Sequence, residues 1–332
     1  MSPMSADGPA ILARDVRRVF ESRKGFLFRE VTRTEALKGV DLEVERGAIF
    51  GLLGPNGAGK TTFTKILSTL LLPTSGSALV LGHDVTKETE ALRPRMGLVL
   101  GGERGLYNRI SGRDNLRYFA DLYGVPMRER EGRIREVLQR VGLDGEDADR
   151  RVEEYSRGMK QKLHIARGIV HRPEILFLDE PTIGLDPKSA RETRKLIRSL
   201  VGDGVTIFLT THYMFEAEEL CPKLAILSKG RIVARDTVDN LRSLVGGDRT
   251  LEVEGYGFDD AEVEALRRLP GVSKILSEEF GPVTRLTLRV RTHETTLDQI
   301  RDLLRVHPEL SVRERRTSLE DVYLDLVDEE VR

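Results

Sequence analysis

The sequence predicts an α/β fold built on a parallel sheet, carrying a peripheral antiparallel sheet and a helical subdomain, and followed by a small α+β domain of ferredoxin-like order. Three observations predict it. The run Gly54-Pro55-Asn56-Gly57-Ala58-Gly59-Lys60-Thr61-Thr62 fills every fixed position of the phosphate-cradling P-loop pattern and lies between strand-like Ile49 to Leu53 and helix-like Phe63 to Leu72. A second apolar run, Ile175-Leu176-Phe177-Leu178, ends in the paired carboxylates Asp179-Glu180. Beyond Val245-Gly246-Gly247-Asp248 the pattern changes to short strands alternating with short helices.

Taken in order, residues 1–9 are expected to be disordered, and Ala10 to Phe20 and Ala36 to Glu45 read as strands of the peripheral sheet. The insert between them, Glu21 to Thr34, is basic and aromatic around Lys24-Gly25-Phe26-Leu27-Phe28-Arg29 and reads as a solvated hairpin or a partner contact. In the P-loop, glycines let successive backbone N–H groups converge on phosphate oxygens, while the following helix points its positive dipole end at the anion. This chemistry predicts ATP or GTP binding. Lys60 is placed to bridge the β- and γ-phosphates and Thr61 to offer its hydroxyl to Mg²⁺, a hard ion that takes few protein ligands.

Downstream come a turn at Pro73-Thr74-Ser75-Gly76 and strands at Ser77 to Leu81 and Met96 to Leu100. From Ser111 to about Arg140 the period becomes helical, with Leu116, Phe119, Ala120 and Tyr123 on one face and Ile134, Val137, Leu138 and Val141 on another. The strand Ile175 to Leu178 then delivers Asp179 and Glu180 to the crevice at its carboxyl end. Alone, such an ending is as readily a strand end with solvated carboxylates. With the P-loop upstream, Asp179 reads as a Mg²⁺ holder and Glu180 as the general base that polarises water.

Composition narrows the class. Of 332 residues, 53 are basic and 54 acidic, a formal charge of −1, so bulk electrostatics gives no case for a nucleic-acid partner. The single cysteine, Cys221, excludes an intramolecular disulfide and reads as a small buried apolar residue. No apolar run approaches the roughly 20 residues that span a bilayer, and Met1 to Gly8 lacks an apolar signal core, which predicts a soluble, unexported chain.

Between the two site runs lies Tyr155-Ser156-Arg157-Gly158-Met159-Lys160-Gln161, and after them Gly184-Leu185-Asp186-Pro187 and Leu209-Thr210-Thr211-His212. In these elements, in this order, the chain resembles the ATP-binding subunit of ABC transporters over about Ala10 to Val245. The resemblance implies a RecA-like core and ATP with Mg²⁺ as ligands. It also implies a head-to-tail homodimer in which Ser156 and Gly158 of one subunit face the γ-phosphate held by the other. His212 then acts as the γ-phosphate sensor, Asp186 belongs to the loop at the nucleotide interface, and an adenine-stacking aromatic falls near Phe20, with Phe26 or Phe28 as substitutes. Away from its usual pattern, the chain has Arg157 and Met159 in the signature, which mark the branch exporting drugs, lipids or polysaccharides. It also has Gly101, with Glu103 nearby, where a Mg²⁺-contacting glutamine is usual.

In the C-terminal part, residues 249–332, strands are expected at Thr250 to Gly255, Val272 to Glu279, Val283 to Val290 and Leu310 to Arg316. Helices are expected at Asp259 to Leu269 and Thr295 to Val306, giving the order βαββαβ. The closing run Thr317 to Leu324 resembles the last helix of ABC-2 exporter ATPases, with Ser318 as cap and Leu319, Val322, Tyr323 and Leu326 turned inward. The function these readings predict is ATP hydrolysis by a cytoplasmic subunit, peripheral on the inner face of the cell membrane, that powers a separately encoded polytopic permease for export. The alternative is a soluble ABC ATPase of translation, repair or assembly, against which stand the single cassette and the absence of sustained heptads.

Overall fold

The computed structural model describes residues 8–24, 30–101, 105–244 and 249–290, and most of 297–329. The chain separates into two compact units, 1–237 and 238–332. In chain order the first contains β1 (Ile11–Lys24), β2 (Glu30–Val44), β3 (Ile49–Leu53), α1 (Lys60–Leu67), β4 (Ser75–Val80), β5 (His83–Asp84), α2 (Thr89–Leu92), β6 (Met96–Val99), α3 (Gly112–Leu122), α4 (Met127–Val141), α5 (Glu146–Asp149), α6 (Arg157–Ile169), β7 (Ile175–Asp179), α7 (Pro187–Val201), β8 (Thr206–Thr211), α8 (Met214–Leu220), β9 (Lys223–Ser228) and β10 (Arg231–Thr237).

The central sheet runs β10-β9-β3-β8-β7-β6, parallel except for β10. A parallel sheet is covered on both faces, so its strands are buried throughout: every residue of β3, β7 and β8 is buried. Four phenylalanines fix the helix that follows the P-loop. Phe208 lies 6.2 Å from Phe50, 5.8 Å from Phe177 and 6.2 Å from Phe63 of α1, ring centre to ring centre. Each such burial contributes about 1.5–3 kcal/mol. The contact holds α1 against the strands whose ends form the site.

The peripheral sheet is antiparallel, β2-β1-β4-β5. The basic insert continues β1 and β2 as a paired ribbon out to Lys24 opposite Glu30; its tip, with Phe26 and Phe28, lies outside the described residues. One expectation fails. The helix read over Phe63 to Leu72 ends at Leu67, because Thr69 takes a left-handed φ of 62° and the N–H groups of Leu70 and Leu71 turn back to Lys65 O. Leu70 and Leu72 are consequently exposed. The helical subdomain forms as read: Leu116 and Ala120 of α3 and Ile134, Val137, Leu138 and Val141 of α4 are buried. Cys221 is buried, and burial pushes its thiol pKa up.

The second unit contains α9 (Val238–Leu244), β11 (Arg249–Tyr256), α10 (Asp260–Arg267), β12 (Val272–Phe280), β13 (Val283–Val290), α11 (Leu297–Leu303), β14 (Ser311–Arg315) and α12 (Leu319–Glu329). Its antiparallel sheet runs β12-β13-β11-β14, the strand order of a ferredoxin-like βαββαβ unit. Leu251, Val253, Leu266, Leu286, Leu288 and Ile300 centre its own core. Although sequence reading assigns residues up to 245 to the first unit, α9 groups with the second, where its buried Leu241 belongs to a helix packed on α12. Ser318 Oγ accepts the Asp321 N–H at 3.3 Å, capping α12, and Leu319 and Val322 are buried while Tyr323 and Leu326 are half-buried. Among the described residues no helix is long and apolar enough to cross a membrane.

Candidate active site

The P-loop joins the carboxyl end of β3 to the first turn of α1. Gly59 has a φ of 111°, and a Cβ there would lie 2.6 Å from Ala36 O, so only glycine fits. Among the described residues no side chain caps α1, which leaves its first amides to an anion. Lys60 is 4 % exposed; its Nζ donates to Gly54 O at 2.8 Å and to Pro55 O at 3.1 Å, and lies 3.5 Å from Glu180 Oε1. The lysine is thus held along the loop by carbonyls of the same loop.

At the end of β7, Asp179 is buried and accepts the Thr61 hydroxyl at 2.9 Å on one oxygen and the Thr210 hydroxyl on the other. Thr61 and Asp179 together present hard oxygen donors, a pair that suits Mg²⁺, which keeps waters and substrate phosphates as its remaining ligands. Among the described residues no group of three His, Cys, Asp or Glu side chains could form a protein-only metal cage. Glu180 takes φ 51°, a left-handed conformation costly for a side chain with a Cβ, and its N–H is held by Thr210 O at 3.0 Å. Its Oε1 reaches His212 Nδ1 at 3.1 Å as well as Lys60.

The signature residues stand at the start of α6. Ser156 caps the helix, accepting the Met159 N–H at 3.2 Å, and Gly158 packs so closely on α7 that a Cβ would meet Ser189 Oγ at 2.5 Å. Arg157 lies against Gly184 of the turn after β7. With Lys160, Gln161 and His164 it lines a small cavity whose other wall is Glu180, Ile183 and Leu185. Asp186 caps α7, accepting from the Lys188 and Ser189 N–H groups at 3.0 Å each, and the Ser189 hydroxyl, with these bonds, holds its carboxyl below the usual range. Within the single chain these residues therefore serve the turn after β7. Phe20 is on the β1 ribbon, 39 % exposed, with the Arg18 guanidinium 4.6 Å from its ring centre as its partner. Gly101 lies beside the end of β7, where a Cβ would be 3.3 Å from Asp179 O; Glu103 is outside the described residues.

The ABC transporter family profile matches residues 37–183. The chain is 38 % identical over 308 residues to the daunorubicin resistance ATP-binding protein DrrA3 of Streptomyces coeruleorubidus, covering 90 % of this chain and 93 % of that one. This protein belongs to the ABC transporter family. It is an ATP-binding, ATP-hydrolysing subunit of that family. The linearmycin resistance ATP-binding protein LnrL of Bacillus subtilis (strain 168) is 33 % identical over 298 residues, covering 89 % of this ABC subunit and 94 % of LnrL. Among solved structures, one titled as the ATP binding subunit of an ABC transporter superposes with TM-score 0.60 at 28 % identity over 71 % of this chain and 93 % of that one. The dimeric ATP-binding cassette MJ0796 bound to ADP and Pi gives TM-score 0.60 at 24 % identity over 68 % and 98 %, a likeness of fold.

Thr210 is the site residue of this ABC subunit that sequence reading misses. Its signal is a polar side chain, wholly buried, at the end of an apolar strand, where its hydroxyl must find a partner.

Proposed function

We propose that this ABC subunit is the ATPase of a resistance-type exporter. It closes as a head-to-tail homodimer over two ATP molecules and drives a separately encoded polytopic permease from the cytoplasmic face of the membrane. The observation that carries the reading is the position of Glu180 Oε1, 3.5 Å from Lys60 Nζ and 3.1 Å from His212 Nδ1. One carboxylate thereby joins the phosphate-binding lysine to the histidine loop, as a base beside a γ-phosphate requires.

On ATP binding, Lys60 exchanges the Gly54 and Pro55 carbonyls for β- and γ-phosphate oxygens, a swap that needs little side-chain movement. Thr61 and Asp179 would hold Mg²⁺, which when bound would neutralise charge on the phosphates. Glu180 accepts the proton of the attacking water. His212 reaches Glu180 through Nδ1 and has Nε2 left for the γ-phosphate. Ser156, Gly158 and the start of α6 cover the γ-phosphate of the partner's nucleotide, with Asp186 at the same interface, and Phe20 stacks on adenine. Two kinds of relative named for antibiotic resistance align over nearly their whole length, which supports export of small drug-like compounds.

The test is capture. The tagged chain, carrying Glu180→Gln to favour the closed state, is purified in mild detergent from membranes of its native host. A polytopic membrane protein in comparable amount is expected by mass spectrometry; recovery only in the soluble fraction, alone or with ribosomes or DNA, would overturn the transport reading.

A further inference from the structure

Glu216 is a buried ionisable group near the site that hydrolysis does not use. It lies on α8, four residues beyond His212, and is 2 % exposed. The Thr182 hydroxyl donates to its Oε1 at 2.7 Å, while among the described residues Oε2 has no hydrogen-bond partner. Thr182 belongs to the turn that carries Glu180, and Thr211 immediately precedes His212.

The surrounding backbone leads to the same two segments. Within the turn, Ile183 N donates to Glu180 O at 3.2 Å and Leu185 N to Thr182 O at 3.1 Å. In the histidine loop, Thr211 Oγ1 accepts the Tyr213 N–H at 3.0 Å and Thr211 O accepts the Gly54 N–H at 3.3 Å. Glu180 itself sits at a positive φ, a conformation that persists only where neighbours enforce it.

We propose that Glu216 is a positioning residue for hydrolysis: by accepting from Thr182 it ties the turn bearing Glu180 to α8, the helix that starts just after His212, and so fixes base and sensor in register. A carboxyl this deep is costly to keep where it is only half paired. Burial pushes its pKa up, opposed by Thr211, Thr182, and the charges of Arg194 and His212. Apolar packing would satisfy the core more cheaply, so the position calls for an acceptor facing the Thr182 hydroxyl. The inference rests on the roles given above to Glu180 and His212.

The test uses the full chain and separates ATP affinity from turnover. Thr182→Val and Glu216→Leu are each expected to lower kcat about tenfold, the scale of a small displacement of a reacting group, with the ATP Kd within about twofold of wild type. Because both break one clamp, the double variant should be no slower than the slower single. Glu216→Gln keeps an acceptor oxygen and should retain at least about half the wild-type kcat. Folded Thr182→Val or Glu216→Leu protein with wild-type turnover, parallel losses in affinity and kcat, or additive losses in the double variant would overturn the clamp. Glu180→Gln is run alongside, and its full turnover would instead sink the base assignment beneath.

Discussion

The two units of this ABC subunit both bury charge, and they do so to opposite ends. In the second unit the charges are paired with one another. Arg315 grips Asp321 with two nitrogens at 2.5 and 2.9 Å and reaches Glu252 at 2.7 Å, while Arg313 takes the other Glu252 oxygen at 2.9 Å. Arg289, 3 % exposed, pairs with Asp325, and Lys274 joins the same carboxylate at 3.1 Å. In the first unit the groups are held provisionally: Lys60 by loop carbonyls, Asp179 by two hydroxyls, Glu216 through one oxygen. Closed pairing fixes β11, β13, β14 and α12 together. Provisional pairing leaves the Lys60 ammonium able to exchange its carbonyl partners for a phosphate.

That contrast can be broken most directly at Lys60. Lys60→Ala should weaken ATP binding by about 1.5–3 kcal/mol and lower kcat a further 10²- to 10³-fold, roughly the effect of removing a preorganised donor, while leaving the thermal transition in place. Equilibrium dialysis and steady-state hydrolysis check this. Asp321→Ala should do the reverse. Arg315 would keep Glu252 and Arg289 would keep Asp325, so losing the Asp321 carboxylate should cost about 1.5–3 kcal/mol of stability, with turnover per folded molecule unchanged; thermal unfolding followed by an activity assay would expose a deviation.

Acid sharpens the comparison further. His164 on α6 is buried, and desolvation, with the nearby Arg167 charge, lowers its pKa from 6.5 to about 4. Its neutral form is the one the fold favours, so its contribution is present above pH 6.5 and is lost as pH falls toward about 4, a change of about 3 kcal/mol. For Asp321, burial alone would push the carboxyl up, but Arg315 and Ser318 outweigh it and hold it below 3.8. Its contribution is full above that value and is lost only below it. The first unit should therefore weaken at higher pH than the second, and His164→Leu should flatten that early loss in pH-dependent unfolding. Ser156→Ala should show the smallest effect, about 0.5–2 kcal/mol from the lost α6 cap, seen as a modest drop in unfolding midpoint.

The lysine, the two carboxylates and the histidine were legible in the sequence because each ends an apolar strand or fills a fixed spacing. The C-terminal strand order was legible for the same local reason, alternation between turns. Thr210, Thr182 and Glu216 were not, since their roles come from partners 31 to 34 residues away across the sheet. The end of α1 was misread because Leu70 to Leu72 continue the apolar pattern after the backbone has already turned at Thr69. Where Asp186 and Ser156 are concerned, spacing located them, and the single chain uses both as helix caps.

The most direct test of the site as a hydrolytic centre is Glu180→Gln, with ATP affinity, dimer mass by sedimentation and turnover measured on one preparation. ATP binding within about twofold of wild type, an ATP-dependent dimer, and turnover lowered by about 10²–10⁴ are the predicted results. Turnover within a few-fold of wild type would contradict the account.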